Sequence, residues 1–232
     1  MRIFVSPLVL GHVTVTGDEH HYVSRVRRSR PGEPVELVDG EGKRAHAEIV
    51  RITDTETLLH VVTIETTTDL PPRIRVLIPM IKGDRMETCL EKLVEVGADE
   101  IVVWPAARAV VRLDADRLDG RIAKYQAVVA AAARQCGRAS LPIVSAAASL
   151  AHAIAALPPG ARIVLDPAAD RAHLPIADHV SIISGPEGGF TSDELDALTA
   201  AGFLSIGLGP RTLRAETAPM IAVALVRAVT SS

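Results

Sequence analysis

Cysteine is nearly absent from this chain: Cys89 and Cys136 are the only two in 232 residues. Two thiols cannot make a disulfide framework, and alone they cannot fill a four-ligand zinc site. Lysine is scarce too, confined to Lys43, Lys82, Lys92 and Lys124. Nor is there an excess of positive charge, since the formal net charge is -3. RNA-binding proteins are often basic overall, so any RNA-facing surface here must be a local cluster of arginines. No apolar run reaches membrane-spanning length. The Met1 to Gly11 stretch is broken by Ser6 and Pro7 and shows no signal-peptide cleavage pattern. The chain is therefore expected to be soluble and cytoplasmic, with no membrane partner. Internal repeats and low-complexity tracts are missing. So are a GxxxxGK[ST] phosphate loop, an HExxH zinc helix and a GxSxG nucleophile elbow.

What is present suits one moderate domain or two unequal ones. Hydrophobic residues make up 48% and charged residues 23%, enough apolar mass for a core and too much for wholesale disorder. As far as about Ile64 the pattern is β. Val13-Thr14-Val15 runs into Gly17-Asp18, and Val35 to Val38 runs into Asp39-Gly40-Glu41-Gly42, a plausible hairpin turn. Ala45 to Ile52 and Leu58 to Ile64 follow, and several short strands at this spacing suggest a small barrel. Thr66 to Pro72 is polar and proline-bearing, like a linker. Strands then alternate with helices. Arg73 to Met80, Glu100 to Val103, Arg162 to Leu165, Val180 to Ser184 and Phe203 to Leu208 read as strands. Asp84 to Val96, a stretch through Leu118 and Ala133, Ser192 to Ala200 and Ala215 to Val229 read as helices. That order predicts an α/β domain, a parallel sheet covered on both faces.

Two strand-to-helix junctions concentrate unusual residues. Ile182 to Phe190 carries Gly185-Pro186-Glu187-Gly188-Gly189, and glycine lets backbone approach a ligand at the carboxyl end of a parallel strand. An ordinary tight turn would explain it as well. Thr191 and Glu194 have capping-box spacing, so Glu194 is read as structural. Gly207 to Ala218 is the second junction. It lacks the third glycine of a dinucleotide fingerprint but holds Arg211, Arg214 and Glu216 at a helix start, where guanidinium forks suit phosphate or carboxylate. Arg25, Arg27, Arg28 and Arg30 are either a solvated edge strand or a phosphate-tracking patch. Asp18-Glu19-His20-His21 contains metal-ligating types, but adjacent ligands point in different directions, and no metal is expected. Cys136 is read as a buried helical cysteine with no base beside it.

Taken together, these motifs resemble the RsmE family, the 16S ribosomal RNA uridine-N3 methyltransferases of the SPOUT superfamily. The resemblance covers nearly the whole chain in order. It runs from Met1 to Val5 and Arg25 to Arg28, through Lys82-Gly83-Asp84-Arg85-Met86, Lys92, Glu95 and Gly97, to Arg108, Gln135, Arg138 and Pro142. It is strongest in Gly185 to Gly189 and Leu208 to Ala218. Val96, Ala107, Arg134, Thr212 and Ala215 depart from the family's usual residues. The resemblance implies a PUA-like RNA-binding β-barrel over 1–68 and a SPOUT trefoil-knot methyltransferase domain over 73–232. Physics alone would give a doubly wound sheet, since true knots are rare. It also implies S-adenosylmethionine as cofactor, 16S rRNA of the small ribosomal subunit as partner, and a homodimer. Met220, Ile221, Val223, Leu225 and Val226 of the apolar last helix are candidates for the dimer interface.

Residue by residue, the resemblance assigns the cofactor to Leu165, Ile183, Gly185, Pro186, Glu187, Gly188, Gly189, Ile206, Leu208, Gly209, Pro210 and Leu213. Arg211 and Arg214 are the expected catalytic residues, with Glu216 as a weaker candidate whose alternative role is helix capping. Arg2, Arg25, Arg28, Lys82, Arg108 and Arg138 are the expected RNA contacts. The implied reaction methylates N3 of one uridine, position 1498 in the usual rRNA numbering. Three rivals stand beside it: another SPOUT enzyme acting on a tRNA ribose 2′-oxygen, a non-catalytic RNA-binding assembly factor, and a nicotinamide enzyme. The long late motif, the intact glycines and the missing dinucleotide fingerprint argue against these in turn.

Overall fold

Period-two alternation organises the amino-terminal part of the chain. Along β4 (Lys43–Ile52), Ala45, Ala47 and Ile49 are buried while His46, Glu48 and Val50 are exposed. In the computed structural model, which describes residues 1–67, 71–110, 115–170, 173–175 and 177–230, this strand sits at the centre of a five-stranded sheet. Its other members are β1 (Arg2–Phe4), β2 (Gly11–Val15), β3 (Pro34–Val38) and β5 (Thr57–Thr66), in the order β1-β3-β4-β5-β2. Only the β1–β3 pair is parallel. Both edge strands feed one core, with Ile3 from β1 and Val15 from β2 alongside Val35, Leu37, Ile49 and Leu59. In a flat sheet with strands about 4.8 Å apart the two edges would be far from each other, so a shared core means that the sheet curls, as the barrel expectation requires. The Asp39 to Gly42 turn forms. Asp39 Oδ1 accepts from the backbone N–H of Glu41 at 2.8 Å and of Lys43 at 2.9 Å.

One expectation for this region needs correction. The arginine-rich stretch is not an edge strand. A short helix, α1 (Gly17–His21), continues into a π-helical turn over Tyr22–Val26, with Val23 fully buried. Apolar Tyr22, Val23 and Val26 have helical spacing, and the four nearby arginines masked that signal. The acid–histidine quartet is built into the scaffold. His20 is buried, with Nδ1 2.9 Å from Thr57 Oγ1 and Nε2 3.3 Å from the Asp54 carbonyl oxygen. Glu19 pairs with Arg134, whose guanidinium also lies 5.4 Å from the Phe4 ring centroid and 5.3 Å from that of Tyr22. Chain contacts group Ala133–Leu141 with Met1–Asp69 in one unit, and Leu70–Ala132 with Pro142–Ser232 in the other. Of the expected linker, Thr68 to Leu70 lie outside the described residues.

The second unit is a six-stranded, wholly parallel sheet. Its strands are β6 (Arg73–Pro79), β7 (Glu100–Trp104), β8 (Ile143–Ala146), β9 (Ala161–Leu165), β10 (His179–Ser184) and β11 (Leu204–Ile206). They lie in the order β11-β9-β10-β6-β7-β8. The central strands are buried almost end to end, as in Ile74, Val76, Leu77 and Ile78 or Val180, Ile182 and Ile183. That pattern is the mark of a parallel sheet covered on both faces. One cover consists of α4 (Leu150–Ala155) and α5 (Ser192–Ala200), whose Ala153 and Leu198 join Leu77, Trp104, Val164 and Ile183 in a single cluster. On α2 (Arg85–Val96), Met86, Cys89, Leu90, Leu93 and Val94 are buried, and this helix packs against α6 (Thr217–Thr230), which also contacts β6 and β10. A long helix, α3 (Ala115–Cys136), uses Gln126 to hold the edge: its amide donates to the Pro142 carbonyl at 2.9 Å and accepts from Val144 N at 2.8 Å.

Two sequence readings change in this unit. Val223 and Val226 of α6 are buried within it, which leaves Met220, Ile221 and Leu225 as the partly exposed apolar residues of that set. Cys136, expected to be buried, is exposed at the end of α3; the buried thiol is Cys89.

Candidate cofactor cavity and its rim

Four loops at the carboxyl edge of the parallel sheet converge on one cavity of about 480 Å³. Leu165, Asp166 and Pro167 come from the end of β9, and Ser184 to Glu187, Gly189 and Phe190 from the end of β10. Thr212 to Ala215 and Ala218 follow β11, and Arg85 opens the helix after β6. A smaller space of about 40 Å³ adjoins it through Leu165, Leu213 and Ala218 and adds Ile206, Leu208, Gly209 and Arg211. This is the edge at which open α/β sheets bind ligands, because strand ends there leave backbone groups facing a crevice.

The loop after β10 is fixed from outside by the loop after β7. Trp104 is fully buried and donates Nε1–H to the Ser184 carbonyl at 3.3 Å. Its ring stacks on Phe190, with centroids 5.8 Å apart. A Cβ on Gly185 would stand 2.9 Å from the Phe190 ring, so glycine at this point makes room for the stack. Arg108 donates to the carbonyls of Gly188 at 3.3 Å and Phe190 at 3.1 Å. The Glu194 carboxylate accepts from Thr191 N at 2.8 Å, completing the capping box, and from Ala107 N at 2.9 Å. Its structural reading holds.

The loop after β11 has a different character. Gly207 N–H donates to the Asp170 carbonyl at 3.1 Å, and a Cβ on Gly207 would collide with the Ala169 carbonyl oxygen. Two strand-end loops therefore pass each other at backbone distance. Beyond that point Arg211 and Arg214 are exposed, Arg214 with 76% of its side chain accessible. Glu216 is largely covered, its Oε2 3.5 Å from Arg85 and its Oε1 3.9 Å from Arg214. Burial and the neighbouring Glu216 carboxylate push the Cys89 thiol up to about 12, which leaves it inert.

Most of the residues assigned to the cofactor from sequence line this space. Ile183 does not, being fully buried in the sheet. Gly188 faces away, its Cβ position lying 3.0 Å from Arg108 Cβ and 3.2 Å from Arg108 O. Pro210 belongs to neither wall. Sequence reasoning missed Arg85, Asp166, Pro167, Ser184, Phe190, Leu195, Ala215 and Ala218. Asp166 and Ser184 adjoin strand ends that were legible, so position alone could have flagged them.

The expected RNA contacts divide. Arg25, Arg28, Lys82 and Arg108 are exposed. Arg25 lies 3.6 Å from Asp54, and Arg28 adopts a left-handed φ of 53° next to the π-helical turn. Arg138 is partly buried, 3.5 Å from Ser140 Oγ. Arg2 pairs with Glu36 at 2.6 Å and keeps 16% of its side chain accessible, so it is largely committed to that pair.

A parallel α/β domain with a glycine-walled crevice, joined to a small curled β unit, is the architecture of an RNA methyltransferase. The family model described as "RNA methyltransferase domain" matches residues 68–227, and that described as "RNA methyltransferase PUA domain" matches residues 15–61. The Ribosomal RNA small subunit methyltransferase E of Mycobacterium bovis is 34% identical over 94% of this chain and 86% of its own length. Its namesake from Bacillus subtilis is 27% identical over 92% of this chain and 88% of its own. The crystal structure of a Ribosomal RNA small subunit methyltransferase E from Neisseria gonorrhoeae, bound to S-adenosyl methionine, superposes with a TM-score of 0.88 at 29% identity, covering 98% of this chain and 97% of that one. The chain belongs to the ribosomal RNA small subunit methyltransferase E family of SPOUT-type enzymes.

Proposed function

We propose that this chain transfers a methyl group from S-adenosylmethionine to N3 of a single uridine, position 1498, in the 16S rRNA of the small ribosomal subunit. The observation that carries the reading is the cavity where the strand-end loops meet. Its wall holds Ser184 Oγ, a buried hydroxyl oxygen without a hydrogen-bond partner. Gly189 and, in the adjoining space, Gly209 have positive φ, and a Cβ at either would meet nothing within 4 Å. Open backbone, an orphan hydroxyl and apolar Leu165, Leu213 and Phe190 fit an adenosine-bearing cofactor.

That cofactor, when bound, supplies a methyl group activated by a positive sulfur. The chain's own work is orientation and charge. Uracil N3–H is weakly acidic and lies on the pairing edge, so the base must be unpaired or flipped into the rim. Arg211 and Arg214 are exposed at the cavity walls, and their guanidinium groups suit stabilisation of a uridine anion or a flanking phosphate. Glu216 is engaged with Arg85 and Arg214, which suits an organising role better than that of a general base. Residues 1–68 act as the RNA-binding module, through Arg25 and Arg28, and 73–232 as the methyl-transfer domain. Lys82, Arg108 and Arg138 extend the RNA contacts, with Arg2 a weaker one. The protein works in the cytoplasm, where its RNA partner is. The close passage of Gly207 under Ala169 is compatible with the family's trefoil knot. A homodimer through Met220, Ile221 and Leu225 would cover the apolar residues left on α6.

The test is to incubate purified protein with labelled cofactor and either 30S particles or naked 16S RNA from a strain lacking the enzyme, then digest to nucleosides. Label is expected in 3-methyluridine, with assembled particles preferred because two modules must engage one structured target. Label in 2′-O-methyl or 5-methyl nucleosides overturns the reaction. A companion measurement concerns Arg25 and Arg28. Replacing each by alanine should lower the salt slope of RNA binding by about one unit per lost phosphate contact and leave cofactor affinity unchanged.

A further inference from the structure

We propose that Arg85 is a positioning residue that ties the glycine-rich loop to the start of the last helix and thereby sets the width of the cofactor cavity; this rests on the methyl-transfer reading above. Its guanidinium reaches two carboxylates on two different loops. Nη2 is 3.2 Å from Glu187 Oε1, after β10, and Nη1 is 3.5 Å from Glu216 Oε2, after β11. Among the described residues no backbone hydrogen bond joins these two loops, so the forked side chain is the polar tie between them. A planar fork holds two carboxylates apart at a fixed spacing better than an ammonium, which is a point charge on a flexible stem.

Two further observations mark the position as more than a solvated charge. Arg85 is the first residue of α2, where the positive end of the helix dipole disfavours a cation. The two carboxylates offset that cost. In addition, Glu216 Oε2 is buried and accepts no hydrogen bond, and Arg85 is the cation it faces at 3.5 Å. Without Arg85 that oxygen would stay covered, leaving the carboxylate only the exposed Arg214, 3.9 Å from its other oxygen, a state that favours loop rearrangement. Arg85 also lines the cavity itself, so any movement of its two anchors changes the space available to the ligand.

Calorimetric titration of S-adenosylmethionine into the full-length protein tests this, with steady-state kinetics beside it. The variants are Arg85→Ala, Arg85→Lys, Glu187→Gln and the double variant Arg85→Ala/Glu187→Gln. Arg85→Ala should weaken cofactor affinity and raise the cofactor KM by about tenfold, while kcat at saturating cofactor changes less than about threefold and the KM for RNA stays put. Arg85→Lys should recover part of the loss. The double variant should bind no worse than Arg85→Ala alone, because both remove the same tie. A variant that merely contained less folded protein would lower kcat and leave both KM values alone. Wild-type affinity in Arg85→Ala, or strict additivity in the double variant, overturns the proposal. If Arg85→Ala does not fold, Arg85→Lys decides: unchanged affinity there overturns it. Failure of the wild-type protein to bind the cofactor at all would instead sink the methyl-transfer reading.

Discussion

The two loops that wall the cavity are built on opposite plans. The loop after β10 is clamped: Trp104 stacks on Phe190, Arg108 holds two carbonyls, and Glu194 takes backbone N–H groups from both sides. The loop after β11 is pinned at its root, where Gly207 meets Ala169, and then presents two arginines to solvent. A cofactor wall benefits from being set in advance, since binding then costs little ordering. A rim that must take an RNA base benefits from long, solvated cations that can settle on a phosphate. Under the proposed function the difference is a division of labour within one crevice, the clamped loop facing the cofactor and the solvated arginines the substrate.

The largest break in that contrast should come from Trp104→Ala. Truncating a fully buried tryptophan costs about 4 kcal/mol, and here it also removes the platform under Phe190. Thermal or denaturant unfolding should show the loss, and cofactor affinity should fall with it at temperatures where the variant remains folded. A variant of undiminished cofactor affinity would mean that the clamped loop is not the cofactor wall. Arg214→Ala should behave in the opposite way. Its side chain is mostly in solvent, so unfolding should be unchanged, while kcat/KM drops about a hundredfold if the guanidinium stabilises developing negative charge. A melting temperature that moves while turnover does not would reverse the assignment of the two loops. Glu194→Gln should be milder. It weakens two charge-assisted backbone hydrogen bonds and should cost about 1–2 kcal/mol of stability, with a loss of cofactor affinity of severalfold at most.

How much of this was legible in the sequence follows from signal length. The β6 strand and the α2 helix carried enough periodic residues to be read nearly to their ends. The four-residue β8 and six-residue α4 were missed because so few residues hold no period. The π-helical turn at Tyr22 was hidden by charge, and the grouping of 133–141 with the amino-terminal unit is a tertiary fact with no local cue. Arg134, which departs from its family's usual acid, finds its reason only in space, between Phe4 and Tyr22 and paired with Glu19. At the site, both glycine junctions announced themselves as strand-to-loop transitions. Arg85 and Phe190 did not, because their importance lies in partners 102 residues away and 86 residues earlier.

Gly188→Ala is the smallest expected effect and the sharpest test of which way the clamped loop faces. From sequence, a glycine in this motif reads as room for the ligand, which would make a bulky side chain such as valine here fatal to cofactor binding. The structure instead directs the new Cβ at Arg108, 3.0 Å from its Cβ and 3.2 Å from its carbonyl oxygen. The backbone at Gly188 is not in the left-handed region, so alanine is conformationally acceptable. A few tenths of an ångström of adjustment by the Arg108 loop would accommodate it, a mild overpacking worth about 1 kcal/mol. Cofactor affinity should then fall by no more than about threefold, only part of that overpacking cost reaching the cofactor wall, and indirectly, through the two hydrogen bonds Arg108 gives the loop. The indirect route has a signature. In Arg108→Ala those bonds are already gone, so adding Gly188→Ala should cost less than it does in the wild-type protein. Binding that vanishes in Gly188→Ala, equally with Arg108 present or truncated, would put the ligand against Gly188 after all.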